Sequence, residues 1–228
     1  MQNAETIKQT FLKHRMKISQ KQAEKFEKYY QFLIEENKKF NLTAITEFED
    51  VVLKHFIDSA VAVGKFKGKV LDVGSGAGFP GIVLAILRDD LQITLLDSLH
   101  KRVNFLNSLI KLLELKNVKA VHARIEDFEE KQAFDCVTAR AVANMQTLSE
   151  YLLPFVKIGG KAIIYKGAEF FEELENAQNA IKTLGGQLEE IERYNLNDMM
   201  RAIIVLRKVG SAPSKFPRGG NLPRKNPL

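Results

Sequence analysis

Residues 70 to 87 read VLDVGSGAGFPGIVLAIL. Gly74, Gly76 and Gly78 alternate directly after an apolar, strand-like run, and a helix-forming run begins at Pro80. Glycine adopts dihedrals closed to other residues and lets a ligand lie against backbone. Pro80 suits the first turn of a helix, where its missing N–H has no intrahelical partner to lose. The loop is therefore suited to a ligand at the carboxyl end of a strand. Gly76-x-Gly78-x-x-Gly81 has the dinucleotide spacing, and Gly74-x-Gly76-x-Gly78 the spacing associated with S-adenosylmethionine. The glycines alone do not choose between them. Asp72 favours the second, because a carboxylate two residues before the first glycine opposes a pyrophosphate and suits an ammonium and a sulfonium.

Asp97 ends the next apolar run, in LLDSLHKR. A carboxylate there can accept both ribose hydroxyls. It would also serve as a helix cap, but the glycine loop precedes it in the order a nucleotide site requires, which favours ribose. Glu126, in RIEDF, stands where an adenine edge would come; taken alone it reads as a surface glutamate. Arg140 ends the run FDCVTAR, where its reach into the pocket is favoured over a capping or surface ion pair, and Cys136 within that run reads as core. His55, in KHFIDS, reads as a helix-face residue that positions Asp58 or the glycine loop rather than one that carries a proton. Lys166, in YKG, is a candidate phosphate contact, and Arg15, Lys17 and the C-terminal tail would extend a basic rim. Phe79 would pack on the cofactor, staple the loop to the core, or do both.

These residues need a scaffold that brings strand ends together. Residues 1–64 read as a helical extension. Ser19-Gln20-Lys21-Gln22 has the form of a capping box, and Ala23, Phe26, Tyr30, Leu33 and Phe40 mark one helix face. A second helix is expected over 49–63. Residues 65–210 form the core. Strands are expected at 70–73, 93–96, 118–122, 134–139 and 161–165, with helices at 80–87, 101–115 and 145–155 between them. Such alternation means an α/β fold with a parallel sheet covered on both faces. A helix over 170–184, then strands near 188–193 and 202–206, add an antiparallel terminal hairpin. The expected class is a Rossmann-like, mostly parallel seven-stranded sheet in a single globular domain.

The chain has 228 residues, 45% hydrophobic and 27% charged, which suits one medium domain with an ordinary soluble surface. A single cysteine excludes an internal disulfide framework and a cysteine-rich zinc site, and four scattered histidines give no metal-ligand spacing. No apolar run reaches membrane-spanning length and the N-terminus lacks a secretory pattern, so a cytoplasmic location is expected. Net charge is +6. Arg201, Arg207, Lys208, Lys215, Arg218, Arg224 and Lys225 stand in a final segment without acidic residues, rich in proline and glycine after position 211. Residues 211–228 read as a tail without regular helix, serving either as a solubilising terminus or as an arm along phosphates.

Together, DVGSGAGFPG, LLDSLHKRVNFL, ARIEDF, TARAVA and GGKAIIYKG resemble the bacterial RsmG family, also called GidB; NLTAI, KHFIDS and the ending FPRGGNLPRKNPL match it too. The resemblance runs from about Asn37 to the end. Members of that family are small-subunit ribosomal RNA methyltransferases that use S-adenosylmethionine to methylate N7 of one guanine in 16S rRNA. The resemblance implies a class I S-adenosylmethionine-dependent methyltransferase fold. It implies cofactor contacts at Gly74, Gly76, Phe79, Asp97, Ser98, Ile125, Glu126 and Arg140, with Asp97 and Ser98 at the ribose and Ile125-Glu126 near the adenine. RNA contacts would come from Lys166, Arg201, Arg218, Arg224 and Lys225. The partner would be 16S rRNA within the 30S subunit or an assembly intermediate, met by a monomer. The tail's Arg218-Gly219-Gly220-Asn221 and the TARA run depart from the commoner family pattern.

Methyl transfer to guanine N7 needs alignment and no general base, because N7 carries a lone pair and no proton. The sequence accordingly offers no dedicated catalytic base. Two other readings remain at this stage. One is a non-catalytic RNA-binding or ribosome-assembly factor on the same fold, and the other a nicotinamide-dependent oxidoreductase.

Overall fold

A computed structural model describes residues 2–228. Helices α1 (Gln2–Lys13) and α2 (Gln20–Phe40) form an N-terminal hairpin. The capping box is present: the Gln22 amide donates to Ser19 Oγ at 3.2 Å and the Ser19 amide to Gln22 Oε1 at 2.8 Å. Asn41 ends the helix in the left-handed region, φ 48°. The buried face of α2 is Ala23, Phe26, Tyr29 and Leu33. Tyr29 thus takes the place expected for Tyr30, and Phe40 is exposed. Steps of three and four residues are both helical, so the spacing alone left either tyrosine possible.

The helix expected over 49–63 is broken into pieces: α3 (Phe48–Val51), a π-helical stretch (Val52–Ile57) and α4 (Asp58–Ala60). π-Helical turns are rare and cluster at functional sites; this one carries His55. The core then alternates β1 (Lys69–Val73), α5 (Gly81–Leu87), β2 (Gln92–Asp97), α6 (His100–Leu112), β3 (Val118–His122), β4 (Phe134–Arg140), α7 (Met145–Leu152) and β5 (Val156–Lys166). Next come α8 (Phe170–Asn176), α9 (Gln178–Thr183), β6 (Gly186–Leu196), β7 (Met199–Lys208) and α10 (Leu222–Lys225). The sheet order is β3-β2-β1-β4-β5-β7-β6, with β7 antiparallel to both neighbours and the other pairs parallel. The order reverses between β1 and β4, which opens a crevice at the carboxyl ends of those strands.

The extension and tail both pack on this sheet. Phe11, Phe26, Tyr29 and Phe56 join one apolar cluster with α5 and β1. The tail was expected to be without regular helix, a solubilising terminus or an arm along phosphates. Instead Phe216 and Pro223 are buried and α10 makes one turn beginning beside Pro223. Among the described residues, no helix is long and apolar enough to cross a membrane, and no cluster of His, Cys, Asp or Glu could hold a metal ion.

Candidate cofactor and acceptor cavities

The glycine loop leaves β1 at Gly74 and enters α5 at Gly81. Gly74, Gly76 and Gly78 have φ of 71°, 58° and 100°, a region that other residues seldom enter. A side chain at Gly74 would strike Val142 at 2.8 Å. At Gly78 it would strike the Tyr29 hydroxyl, at 2.7 Å. Tyr29 itself is fully buried and donates to the Ala77 carbonyl at 2.6 Å. The N-terminal extension therefore holds the loop directly.

Asp72 does not face a ligand. It is fully buried, and its Oδ2 accepts the Gly81 amide at 2.9 Å. Its Oδ1 has no hydrogen-bond partner among the described residues. Burial pushes this carboxyl up to about 7, against the pull of the Gly81 amide. The expectation that it meets a cationic cofactor group is thus corrected: it ties the start of α5 to β1 from beneath the loop. Asp97 is similarly occupied. Its side chain is 2% exposed, Oδ2 accepts from the Gly76 amide at 2.9 Å and Oδ1 from the Leu99 amide at 2.9 Å. In this arrangement its carboxylate fixes the shape of the loop, and its contact with Arg102, at 3.5 Å, is the weakest one it makes.

Two cavities flank the turn after β4. The first, of about 280 Å³, is lined by Gly74, Ser98, Ile125, Glu126, Val142 and Arg224, among others. It brings together most of the residues expected at an adenosine. The second, of about 390 Å³, is lined by Lys54, His55, Asp58, Arg140, Lys166, Tyr194 and Arg201, among others. Ala141 lines the second and Val142 the first, so one short turn divides them. Ala141 has φ 57°, a strained value for a residue with a Cβ, and such strain concentrates at functional sites.

Arg140 braces the second cavity. Its Nη1 donates to the Lys54 carbonyl at 3.0 Å and to Asp58 Oδ2 at 2.8 Å. Its Nη2 lies 3.0 Å from His55 Nδ1, and the guanidinium sits 5.0 Å from the Phe79 ring centre. An arginine only donates, so His55 Nδ1 must accept and the ring proton must be on Nε2. Nε2 then donates to Thr43 Oγ1 at 2.9 Å. Burial, reinforced by Arg140, pushes the imidazole down to about 3, so it stays neutral. This makes His55 a support for Arg140. Asp58 is equally engaged, accepting from the Tyr194 hydroxyl at 2.8 Å and lying 3.8 Å from Arg201 Nε. Lys166 pairs with Glu173 and donates to the Ala143 carbonyl.

Other expectations are redistributed. Phe79 is 6% exposed, stacks on Tyr29 and His55 with centroids 5.2 and 4.4 Å apart, and lines neither cavity. Of its two expected roles, the structure displays the staple to the core. Gly76 lines neither cavity and is held by Asp97. Cys136 is buried in β4 and burial pushes its thiol up. Lys166 and Arg201 meet in the second cavity, whereas Arg15 and Lys17 line neither. Arg218 is not free for phosphate: its Nε and Nη2 bind both oxygens of Glu150, which is 1% exposed. Arg224 lines the first cavity, and Lys225 is exposed on α10. Tyr194 went unnoticed in the sequence, because an edge hairpin gives no local signal of what it will face.

The rRNA small subunit methyltransferase G family model matches residues 22–203. The chain belongs to that family. A ribosomal RNA small subunit methyltransferase G of Lachnoclostridium phytofermentans is 48% identical over 93% of this chain and 92% of its own length. One from Bacillus cytotoxicus is 46% identical over 92% of each. Among solved structures, M. jannaschii TYW2 in complex with AdoMet is similar at TM-score 0.54 and 17% identity, over 67% of this chain and 76% of that one. The cyclase SpnF is similar at TM-score 0.56 and 16% identity, over 72% and 83%. These likenesses show the fold, that of the class I S-adenosylmethionine-dependent methyltransferases. A cyclase on the same fold shows that architecture alone does not decide the reaction.

Proposed function

We propose that this protein transfers the methyl group of S-adenosylmethionine to N7 of one guanine of 16S rRNA, within the 30S subunit or an assembly intermediate. The observation that carries the N7 reading is the second cavity, where every candidate base is already committed. His55 is neutral and accepts from Arg140, Asp58 is shared by Arg140 and Tyr194, and Glu173 pairs with Lys166. Guanine N7 is a lone pair that needs no deprotonation, whereas a ribose hydroxyl would need a proton acceptor. Four cationic side chains, Lys54, Arg140, Lys166 and Arg201, outnumber the carboxylates Asp58 and Glu173 and suit an RNA backbone.

The first cavity fits the adenosine end of the cofactor. Gly74 offers bare backbone with no room for a side chain, Ser98 a hydroxyl, Ile125 an apolar wall and Glu126 a carboxylate. When bound, S-adenosylmethionine supplies an electrophilic methyl carbon on a sulfonium. The protein's part is alignment: Arg140 keeps β4, the π-helical stretch and Phe79 in one rigid unit beside the Ala141–Val142 turn, across which donor and acceptor would face each other. Guanine N7 lies in the groove that A-form RNA hides, so the target base must be unstacked or displayed in a loop.

The test uses 30S subunits from cells lacking this protein, incubated with it and methyl-labelled cofactor, with the label mapped by nuclease digestion and mass spectrometry. Label as 7-methylguanine at one site is expected, and more on 30S particles than on naked rRNA. Label on an exocyclic amine or a ribose would overturn the N7 reading. Cofactor binding without methylation of any rRNA would favour the assembly-factor alternative.

A further inference from the structure

The tail was read as a solubilising terminus or a basic arm for RNA, yet Arg218 is bound to a buried carboxylate and Arg224, though exposed, lines the first cavity. Arg218 meets buried Glu150 through its backbone amide at 2.8 Å and through its guanidinium, and also donates to the Asn226 carbonyl at 2.9 Å. Thr147 Oγ1 donates to the Pro223 carbonyl at 2.9 Å, and Gln146 Nε2 to a C-terminal oxygen of Leu228 at 3.0 Å. Lys131 Nζ donates to the Phe216 carbonyl at 2.7 Å, above a buried phenylalanine ring. These anchors fix the segment against α7. They carry Asn221 and Arg224 to the cavity that also holds Gly74, Ile125 and Glu126.

We propose that the C-terminal segment is a wall of the cofactor pocket and that Arg224 contacts the adenine base. This rests on the adenosine reading of that cavity. Arg224 spends one donor on the Val142 carbonyl, at 3.0 Å, and Tyr151 lines the same cavity. Most of its five N–H donors remain. An adenine edge presents an amino donor beside a ring-nitrogen acceptor. A carboxylate at Glu126 and a guanidinium at Arg224 in one cavity complement that pair, and a planar guanidinium can equally stack on the base. The Val142 side chain stands against Gly74, so the Arg224–Val142 bond also links the tail to the glycine loop. Asn221 has φ 61° and starts α10, at whose third residue Arg224 stands at the mouth of the cavity, largely exposed. Of the tail's two arginines, Arg218 is an anchor and Arg224 part of the wall.

The experiment is calorimetric titration of the full chain with S-adenosylhomocysteine, alongside thermal melts of the free protein. Arg224→Ala is expected to weaken binding about tenfold while leaving the melt of the free protein nearly unchanged. Should that variant unfold, Asn221→Gly keeps the left-handed turn, removes only the side chain lining the cavity, and is expected to weaken binding in the same direction. Unchanged affinity in the folded variant, with weaker binding to rRNA, would overturn the proposal and restore the RNA arm. No binding by the unaltered protein would instead bring down the adenosine reading of the cavity.

Discussion

The two ends of the chain meet the site by opposite physical means. The N-terminal extension holds the glycine loop with apolar mass: Phe11, Phe26, Tyr29, Phe56 and Phe79 form a chain of ring contacts 4.9 to 5.2 Å apart, or 6.1 Å between Phe56 and Phe79. The C-terminal segment holds the other side with directed polar bonds, chief among them Arg218 to Glu150. Apolar burial is non-directional and grows with area. Charge-assisted bonds are directional and leave a large penalty when one partner is lost. The N-terminal clamp should therefore tolerate changes that conserve volume, and the C-terminal one should not tolerate loss of either partner.

The strongest way to break this contrast is at Phe26. Phe26→Ala is expected to cost about 3–5 kcal/mol, as for other large-to-small changes in a closed core, whereas Phe26→Leu should cost much less. Urea denaturation measures both, and equal losses would remove the volume argument. Next comes Arg218→Ala, which strands the buried Glu150 carboxylate. We expect a loss of roughly 2–3 kcal/mol, below the figure for a fully buried pair because Arg218 is partly exposed. Arg218→Ala with Glu150→Gln should recover part of it. A double variant as weak as the single one would show that the ion pair is not what anchors the tail.

The smallest effect sharpens the comparison from beneath the loop. Asp72 holds its proton up to about 7, well above the 3.8 of an unburied aspartate. Its contribution is full below the lower value and is lost as pH rises through the upper one, because only the native state then keeps a proton on the buried carboxyl. Stability of the unaltered protein should fall as pH rises from 4 to 8 on this account. Asp72→Asn should flatten that fall, read as denaturation midpoints across the range. An identical pH profile for the two proteins would place the titration elsewhere.

Much of the fold was legible because its signals are local. The third strand spans Val118–His122 as expected, the Ser19–Gln22 box starts α2, and Gly74 to Gly78 mark the strand-to-helix turn by backbone freedom alone. The paired final strands appeared in the sequence as a break in the strand–helix alternation. Ser98, Ile125 and Glu126 were placed by the resemblance to the family rather than by local signals, and all three line the first cavity.

What chain order could not decide was which partner each polar group would find. Asp72 and Asp97 look alike in sequence, as carboxylates near strand ends beside a glycine loop, and both are used by backbone amides. His55, kept neutral chiefly by burial, meets an arginine 85 positions away, and Arg218 is bound by a glutamate 68 positions back. Such pairs are set by the three-dimensional approach of distant segments, and composition carries no trace of them. The sequence by itself determined the parallel sheet, the glycine turn and the clustering of basic residues at the C-terminus. Only the tertiary structure decided that Arg218 turns onto the body of the protein. A buried carboxylate at Glu150 cannot stay unpaired, and Arg218 is the cation the fold brings within reach.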